Sequence, residues 1–357
     1  MNIPFSENCS EYDVIVCGGG PAGCCAAIAA ARLGVKVLLT EATSALGGMG
    51  TMGMVSAFAP FTDGEKLIYR SVPVEILERY KKRMGIPEYK WDWIKLSPED
   101  LKRVYDDMVT ESGAEVLFQS SVCSAETENR RIKRIYVAGK GGLKVYRAKV
   151  FIDCTGDGDV AERCGVPYEM GNEELKLMQP ATMFFHVNGV DAEKVEADIQ
   201  ANKDNFYRKN GVNYRSFHWR VAEARANGDW DLQRVSIGFF RMPKSDEWCV
   251  NTSRLMGVDS TDNESLTKAE MEGRKQVEEI FRFLKKYVPG CENAQLTASG
   301  SYVGIRESRH IRGEYRLTAD DLLDAKVPED SILVTSNSVD VHGRFGPTSN
   351  EYIPIKG

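Results

Sequence analysis

Three glycines near the amino end have the spacing needed to hold a phosphate group. Gly18, Gly20 and Gly23 follow directly after a short apolar run, in the pattern G-x-G-x-x-G. In such a loop the first glycine permits a tight turn, the second lets the main chain approach a diphosphate, and the third allows a helix to pack closely on a strand. The amides at the amino end of that helix then attract negative charge. The pattern predicts a dinucleotide-binding loop.

An acidic residue stands where such a loop needs one. Glu41 ends the second apolar segment, 35–41. A carboxylate at this position can accept hydrogen bonds from both hydroxyls of a ribose. A glycine-rich turn that served only tight packing would not need this acid. Because no Lys or Arg follows at the end of the segment, the pattern disfavours a 2′-phosphate and therefore NADP.

Two further glycine-containing segments favour FAD over NAD. Gly47, Gly48 and Met49 follow soon after Glu41, and glycines at that point let the loop pass close to a ribose and its phosphates. The segment 153–159, with the sequence DCTGDGD, ends another apolar run and places main-chain amides near the same crevice. The first loop also lies at the amino end of a chain whose later segments return to the same fold. We therefore predict FAD as the cofactor.

A parallel sheet is needed to bring these residues together. Residues 13–41 read as strand, small-residue helix and strand, which is a β-α-β unit with a right-handed crossover. Helices are predicted at 71–84 and after the N-cap Ser97, with Pro98 at the first helical position. Alternating apolar residues in 114–151 predict strands, including one over AEVLFQSSV and a hairpin further on.

The second half of the chain predicts a different sheet. Its strands are expected in MFFHVNGV, RVSIGFFRM and EWCVNTSRL. A long amphipathic helix is expected over 265–290, ended by a Pro-Gly pair. A further strand is expected in SILVTSNSV, residues 331–339.

The composition excludes several classes of protein. Hydrophobic residues make up 42% and charged residues 27%, as in an ordinary globular protein. The net charge of −6 disfavours nucleic acids and anionic membranes as partners. No apolar stretch reaches the ~18 residues of a membrane span, and the amino end has no signal-peptide pattern. Nine scattered cysteines, an odd number, indicate reduced thiols in a cytoplasmic protein.

Three polar residues near the carboxyl end are candidates for substrate chemistry. Arg306 and Arg309 flank Glu307, and two guanidinium groups suit a bidentately bound carboxylate or another anionic oxygen. A structural Arg–Glu network is the alternative. His342, two residues after Asp340, is a candidate general base, with a hydrogen-bonded loop histidine as the alternative. No histidine or cysteine spacing is typical of metal ligands, so we predict no metal.

Longer segments of the chain resemble a known family. The segments DVIVCGGGPAGCCAAIAAARLGVKVLLTE, LGGMGTMG and FIDCTGDGDVA resemble the FAD-dependent oxidoreductases of the glutathione-reductase-like superfamily. The resemblance continues through GIRESRHIRGEYRLTADDL and SVDVHGRFG and is weakest in residues 190–295. Many flavoproteins share the amino-terminal motifs, whereas the segments around Arg306 and His342 are more specific.

The resemblance implies roles for these residues. The first glycine loop would hold the pyrophosphate and the acid would bind the adenosine ribose. The second glycine segment would line the ribityl side, Val122 would meet the adenine through its backbone, and the 153–159 segment would close the crevice. The implied cofactor-binding residues are Gly18, Gly20, Pro21, Ala22, Gly23, Glu41, Gly47, Gly48, Met49, Val122, Gly156 and Asp157.

The carboxyl end departs from the family pattern. Members of the family usually continue past the segment IPI with a strand, a turn and a helix that contact the flavin. The chain ends at Gly357, so we expect a truncated protein in preference to a complete, divergent one. A missing helix would expose core surface worth ~25 cal/mol per Å² of apolar area and would remove flavin contacts. We therefore expect weak or absent FAD retention, seen as missing flavin absorbance.

The sequence predicts an α/β protein with a Rossmann-like FAD/NAD(P)-binding domain and an inserted, mostly β substrate domain. The expected FAD-binding domain is 1–170, with a helical insertion at about 65–112 and a β-hairpin region at 115–150. The substrate domain is 171–300, and 301–357 returns toward the FAD domain.

The predicted function is an FAD-dependent oxidoreductase acting on a small organic substrate, anionic or polyhydroxylated. The alternatives are a non-catalytic or truncated dinucleotide-binding protein and an NAD-dependent dehydrogenase.

Overall fold

The computed structural model describes residues 5–6, 11–171, 177–202, 208–209, 212–213, 217–243, 246–332, 334–335, 339–342 and 350–353. In chain order, the elements of its first half are β1 (Phe5–Ser6), β2 (Glu11–Cys17), α1 (Pro21–Ala31), β3 (Val37–Thr40), β4 (Ala57–Phe58), α2 (Val72–Met84), β5 (Ile94–Lys95), α3 (Pro98–Glu111), β6 (Glu115–Leu117), β7 (Ser121–Glu128), β8 (Arg131–Gly139), β9 (Gly142–Asp153), α4 (Asp159–Arg163) and β10 (Tyr168–Met170).

The second half continues with a further set of elements. They are β11 (Phe185–Asn188), α5 (Ala192–Ala201), β12 (Arg208–Lys209), β13 (Val212–Asn213), α6 (His218–Ala226), β14 (Gly238–Arg241), β15 (Trp248–Asn251), α7 (Asn263–Tyr287), β16 (Gln295–Ser299), β17 (Arg309–Ile311), α8 (Ala319–Leu323), β18 (Val339–His342) and β19 (Asn350–Ile353).

The first sheet has seven strands in the order β6-β3-β2-β9-β8-β7, with β1 paired to β9. Strands β6, β3, β2 and β9 are parallel, whereas β7, β8 and β9 form an antiparallel meander. Helix α1 connects β2 to β3, as the predicted β-α-β unit requires. The loops after β2, β3 and β9 therefore meet at one edge of the sheet.

Both faces of this sheet are covered by other elements. Since alternate side chains of β2 face opposite ways, this strand contributes to a core on each face. Val16 packs in a core with helices α1, α2 and α3. Ile15 and Cys17 pack in a second core with β7, β8 and α4. Helix α1 approaches the sheet closely, since its buried face includes the small residues Cys24 and Ala27. This close approach fixes the amino end of α1 beside the loop after β2.

The second sheet is antiparallel, in the order β14-β15-β11-β16. Its core contains Phe185, Phe239 and Trp248, and the rings of Phe239 and Trp248 stack with centroids 4.5 Å apart. Helix α7 covers this core with an apolar face that includes Ile280 and Leu284, four residues apart in the amphipathic pattern that the sequence predicts.

The chain enters and leaves the second-sheet segment at one place. Strand β10 precedes the segment, β17 follows it, and the two strands pair antiparallel, with Glu169 opposite His310. The ends of the segment are therefore adjacent, as an insertion requires. The structure confirms the predicted fold class, an α/β protein with a Rossmann-like sheet and an inserted sheet.

Two strand predictions are wrong in part. The single strand expected over AEVLFQSSV is two strands, because Gln119 has φ of +52° and turns the chain from its pairing with β3 to its pairing with β8. In the segment 331–339, residues 331–332 and 334–335 are not in a strand, and β18 begins only at Val339. Ile332 is 94% exposed, so no neighbouring strand covers it.

Helix caps follow the sequence more closely. Ser97 precedes α3, its Oγ accepts a hydrogen bond from the amide of Asp100, and Pro98 begins the helix, as predicted. Among the residues that the structure describes, no helix combines the length and apolarity needed to cross a bilayer.

Candidate functional site

A crevice of about 830 Å³ lies at the carboxyl ends of β2, β3 and β9. Its wall includes Gly18, Glu41 and Cys154, each of which directly follows one of these strands. The amino end of α1 forms another part of the wall, and the first turns of α7 face it. Ligands of open α/β sheets bind at this edge. The side chains of the residues that the structure describes leave this crevice open.

The packing of the protein itself requires two of the predicted glycines. Gly18 has φ of +100°, and a Cβ on it would lie 2.2 Å from the carbonyl oxygen of Cys154. A Cβ on Gly23 would lie 1.8 Å from the carbonyl oxygen of Gly18. These contacts are the tight turn and the close approach of helix to strand that the sequence pattern predicts.

Gly20 differs from the other two glycines. Its φ of −66° is a conformation that any residue adopts, and an added Cβ would meet no atom of the described residues within 4 Å. Gly20 lines the crevice together with Pro21 and Ala22. Neither strain nor packing requires glycine here, whereas a diphosphate held against the main chain does. The residues of this loop therefore fit FAD.

The carboxylate of Glu41 is held in a fixed orientation at the wall of the crevice. The amide of Gly19 donates to Oε2 at 2.6 Å, and the amide of Thr43 donates to Oε1 at 2.7 Å. Each oxygen keeps a further lone pair for a ligand hydroxyl. Sequence reasoning missed Gly19, where a Cβ would lie 2.6 Å from a methyl carbon of Leu46 and 3.0 Å from Oε2 of Glu41. Any larger residue would displace the carboxylate.

The second glycine segment is fastened to the first loop. The amide of Gly47 donates to the carbonyl oxygen of Gly19 at 2.8 Å. Gly47 has φ of +95°, and a Cβ on it would lie 2.7 Å from the ring of Tyr105. Gly48 and Met49 line the crevice, whereas Gly47 positions them from behind.

The loop after β9 is held in its fold by one half-buried acid. The carboxylate of Asp153 accepts hydrogen bonds from the amide and hydroxyl of Thr155, at 3.1 and 2.7 Å, and from the amide of Ala161 at 2.9 Å. Gly156, at φ of +88°, completes the turn and lines the crevice. Asp153 therefore shapes this wall from outside.

The remaining predicted cofactor residues also line the crevice. Asp157 Oδ1 accepts a hydrogen bond of 2.9 Å from the hydroxyl of Ser260, which lies just before α7. Val122 lies at the start of β7 and contributes to the same wall. The structure thus brings together ten of the twelve residues in the crevice lining, with Gly23 and Gly47 behind it.

The two candidate arginines occupy different surroundings. Arg306 lines the crevice, and its Nη2 donates to the hydroxyl of Thr182 at 3.2 Å. Arg309 holds the loop after β9, because its Nη1 donates to the carbonyl oxygen of Asp157 at 3.0 Å and to Oδ1 of Asp159 at 2.9 Å. Glu307 accepts a hydrogen bond from the amide of Gln179 at 2.7 Å.

The third candidate cannot be placed in the same detail. His342 ends strand β18, and its side chain lies outside the described part of the structure. Its role as a general base stays a prediction. Within the described ranges, no group of three His, Cys, Asp or Glu side chains has the arrangement of a metal site.

Tyr302 is a crevice residue that sequence reasoning missed. Burial, with a smaller contribution from the carboxylate of Glu41, raises the pKa of Tyr302 to about 12. The phenol therefore keeps its proton at neutral pH and is available as a donor. Its neighbour Val303 is anchored by a 2.6 Å hydrogen bond from its amide to Oε1 of Glu270 on α7. No local pattern in the sequence indicates this contact, because 33 residues separate the two partners.

Several solved structures have a similar fold. The p-nitrophenol 4-monooxygenase PnpA from Pseudomonas putida has a TM-score of 0.51 and 13% sequence identity, with 86% of this chain and 70% of that chain covered. This similarity shows the fold.

Two further structures are less similar. A geranylgeranyl bacteriochlorophyll reductase-like protein from Thermoplasma acidophilum has a TM-score of 0.47 at 14% identity, with 82% of this chain and 66% of that chain covered. The myxobacterial chondrochloren halogenase CndH has a TM-score of 0.49 at 13% identity, with 84% of this chain and 64% of that chain covered. The chain thus spans about two thirds of the length of these structures. No curated protein sequence matches it.

One family model covers nearly the whole chain. The model described as FAD dependent oxidoreductase matches residues 13–355. This range includes the glycine loop, Glu41, the loop after β9 and both candidate arginines. The match confirms FAD as the predicted cofactor and a flavin-dependent oxidoreductase as the predicted class of enzyme. The chain belongs to the FAD dependent oxidoreductase family.

Proposed function

We propose that this chain is an oxidoreductase that binds FAD in the crevice at the carboxyl ends of β2, β3 and β9 and acts on a small anionic or polyhydroxylated organic molecule. The observation that carries the proposal is the open space at Gly20. A glycine that neither conformation nor packing requires lies beside a helix amino end and lines an open crevice. The space fits a diphosphate bound to main-chain amides.

Different residues of the crevice would contact different parts of FAD. Gly20 and the first amides of α1 would hold the pyrophosphate, and Glu41 would accept hydrogen bonds from the adenosine ribose. Val122 would contact the adenine through its main chain. Gly48 and Met49 would line the ribityl side with Gly47 behind them, and Gly156 and Asp157 would close the crevice. This arrangement supports membership of the glutathione-reductase-like superfamily, which we include in the proposal.

FAD supplies the hydride or electron transfer when it is bound. The contribution of the chain is to orient both partners and to tune charge. The guanidinium of Arg306 faces the crevice and can bind an anionic oxygen of the substrate. Arg309 positions the loop that carries Asp157. His342 is retained as the candidate general base.

The proposal includes the division of the chain. Residues 1–170 and 301–357 would form the FAD-binding part and 171–300 the substrate-binding part. Separate hydrophobic cores in the two sheets support this division. The pairing of β10 with β17 supports it as well. We also propose a cytoplasmic location, which the free thiols of the eight cysteines within the described ranges support.

The test compares thermal unfolding of the protein with excess FAD, NAD or NADP. Since a ligand that binds only the folded state raises its melting temperature, FAD should raise it and the two nicotinamide nucleotides should not. The matched variant Glu41→Gln keeps the size of the side chain but removes the charge, and it should lose most of the shift.

The outcomes separate the candidate functions. A shift with NAD and none with FAD would indicate the dehydrogenase and overturn the proposal. FAD binding without reduction of a dye acceptor by any of a panel of small hydroxy acids and sugars would indicate a non-catalytic binding protein. An FAD shift that Glu41→Gln leaves unchanged would contradict the assigned ribose contact.

A further inference from the structure

A second cavity, of about 470 Å³, lies on the other side of α7. It is enclosed by the loop 231–234, the segment 254–258 and helix α7. Ser265, Ala269 and Gln276 of α7 line this cavity, whereas a different set of α7 residues lines the dinucleotide crevice. We call it the arginine cavity, because Arg234 and Arg254 are in its wall.

Helix α7 holds Arg254 in place. The amide of Arg254 donates to Oε1 of Gln276 at 2.9 Å, and Nε2 of Gln276 donates to the carbonyl oxygen of Arg254 at 3.3 Å. Both residues are 8% exposed. One buried amide side chain thus satisfies both main-chain groups of Arg254, and the position of this arginine is fixed before any ligand arrives.

Several hydrogen bonds also fix the main chain at Arg234 and in the loop that carries it. Its carbonyl oxygen accepts hydrogen bonds from Nε1 of Trp230 at 2.8 Å and from Nη2 of Arg225 at 3.0 Å. The amide of Asp231, at the start of the same loop, donates to Oε1 of Glu279 on α7 at 2.7 Å. The loop is therefore fastened to two helices, α6 and α7.

Two arginines and the exposed Lys268 bring positive charge to the wall of the arginine cavity. Nε of Arg234 is buried and has no hydrogen-bond partner within the described part of the chain. Burial, with repulsion from Arg254 and Arg306, lowers the pKa of Arg234 to about 10. Burial also lowers the pKa of Arg254. Both side chains remain charged at neutral pH, and Lys268 adds a further positive charge to the wall.

The acids in the lining lie at its exposed side. Asp231 and Glu272 are both solvent-exposed residues. Glu272 accepts a hydrogen bond of 3.3 Å from Gln276. The wall also contains apolar residues, among them Leu255 and Val258, each less than a tenth exposed, beside the polar Gln233 and Ser265. The cavity thus combines a cationic end with an apolar surface.

We propose that the arginine cavity binds a small carboxylate with a short aliphatic chain, its carboxylate held by Arg234 and Arg254 and its chain against Leu255 and Val258. A carboxylate matches the planar donor fork of arginine and can engage it bidentately. It also relieves the repulsion between the guanidinium groups. The site is separate from the dinucleotide crevice and goes beyond the proposed oxidoreductase function.

The experiment measures hexanoate binding to the full chain by calorimetry, beside its neutral analogue hexanamide. Salt is matched with sodium chloride. Hexanoate should bind at least about tenfold more tightly than hexanamide, because a hydrogen bond to a charged group in a buried site is worth more than a neutral one. Equal affinities for the two molecules would overturn the proposal without any variant.

Variants then locate the site. Arg234→Gln and Arg254→Gln should each weaken hexanoate binding by about tenfold or more, while hexanamide binding changes little. The control Arg282→Gln removes the same charge from an exposed position on α7 and should leave hexanoate affinity unchanged. Equal losses in all three variants would show a general effect of net charge and contradict the assignment. Because FAD is absent from this assay, its result is independent of the cofactor proposal.

Discussion

The two cavities beside α7 are built from different parts of the chain. The wall of the dinucleotide crevice includes glycines in the loops that follow strands β2, β3 and β9. The wall of the arginine cavity includes two arginines, from loops before β14 and after β15. The first site thus depends on missing side chains and the second on long charged ones.

This difference determines how substitutions act. In the crevice, a methyl group added at some glycines collides with the protein and lowers its stability. At other glycines the methyl group enters the space of a ligand and lowers the affinity for that ligand. In the arginine cavity, loss of one charge relieves repulsion from Arg254 and Arg306 while removing a ligand contact. The predictions below test this separation.

The largest expected effect is on folding at Gly23. Gly23→Ala places a methyl carbon 1.8 Å from the carbonyl oxygen of Gly18, which belongs to the main chain and cannot move aside cheaply. We expect the free energy of unfolding to fall by about 3 kcal/mol, measured by urea denaturation. In the control Gly141→Ala, the added methyl carbon would lie 3.6 Å from the flexible side chain of Lys144. Equal stabilities of the two variants would contradict the packing role.

The stability of the protein should depend on pH through one buried histidine in the second sheet. His186 is 3% exposed, and its Nδ1 is 3.6 Å from Oε2 of Glu247. Burial lowers the pKa of His186 and outweighs the opposing effect of Glu247. The unfolded chain therefore takes up a proton near pH ~6.5, where the folded protein does not yet do so.

Stability due to neutral His186 is complete above that pH and is lost as the pH falls toward the folded pKa, by up to about 1.4 kcal/mol per pH unit. Urea denaturation at several pH values below about 6.5 checks this slope. His186→Gln should flatten it over the same window. An unchanged slope in the variant would assign the acid sensitivity to other groups.

The smallest expected effect tests the side of the crevice nearest α7. Ser260→Ala removes the 2.9 Å hydrogen bond to Asp157, which leaves the Asp157 carboxylate less firmly oriented. FAD affinity should fall about fivefold, measured by fluorescence titration. Thr267→Ala, which removes a hydroxyl that donates to the carbonyl oxygen of Asn263 within α7, serves as the control. A larger loss in the control would indicate that α7, and not Asp157, governs the effect.

The sequence predicts the crevice well because its physical causes are local. Residues 13–41 contain the whole pattern, which is a strand, a glycine loop, a helix and an acid at the end of the next strand. The structure places Gly18, Gly20 and Glu41 around one opening. The cap at Ser97 is equally local, since its partner Asp100 is three residues away.

The rest depends on contacts between distant residues. The break at Gln119 follows from its hydrogen bond to Thr43 and a positive φ, neither of which the alternating apolar pattern encodes. Arg234 and Arg254 have no distinctive spacing, and only the packing of α7 brings them to one cavity. The roles of Arg309 in bracing a loop and of Tyr302 in the crevice also arise from tertiary packing.

The most direct test of the account is FAD titration of the wild-type protein and of Gly20→Ala by calorimetry, with urea denaturation of both. An added Cβ meets no atom within 4 Å in the part of the chain that the structure describes, so we expect the free energy of unfolding to change by less than about 1 kcal/mol. FAD binding should be lost, because the methyl group occupies the approach of the pyrophosphate. Unchanged FAD affinity in a stably folded Gly20→Ala protein would contradict the placement of the cofactor in this crevice.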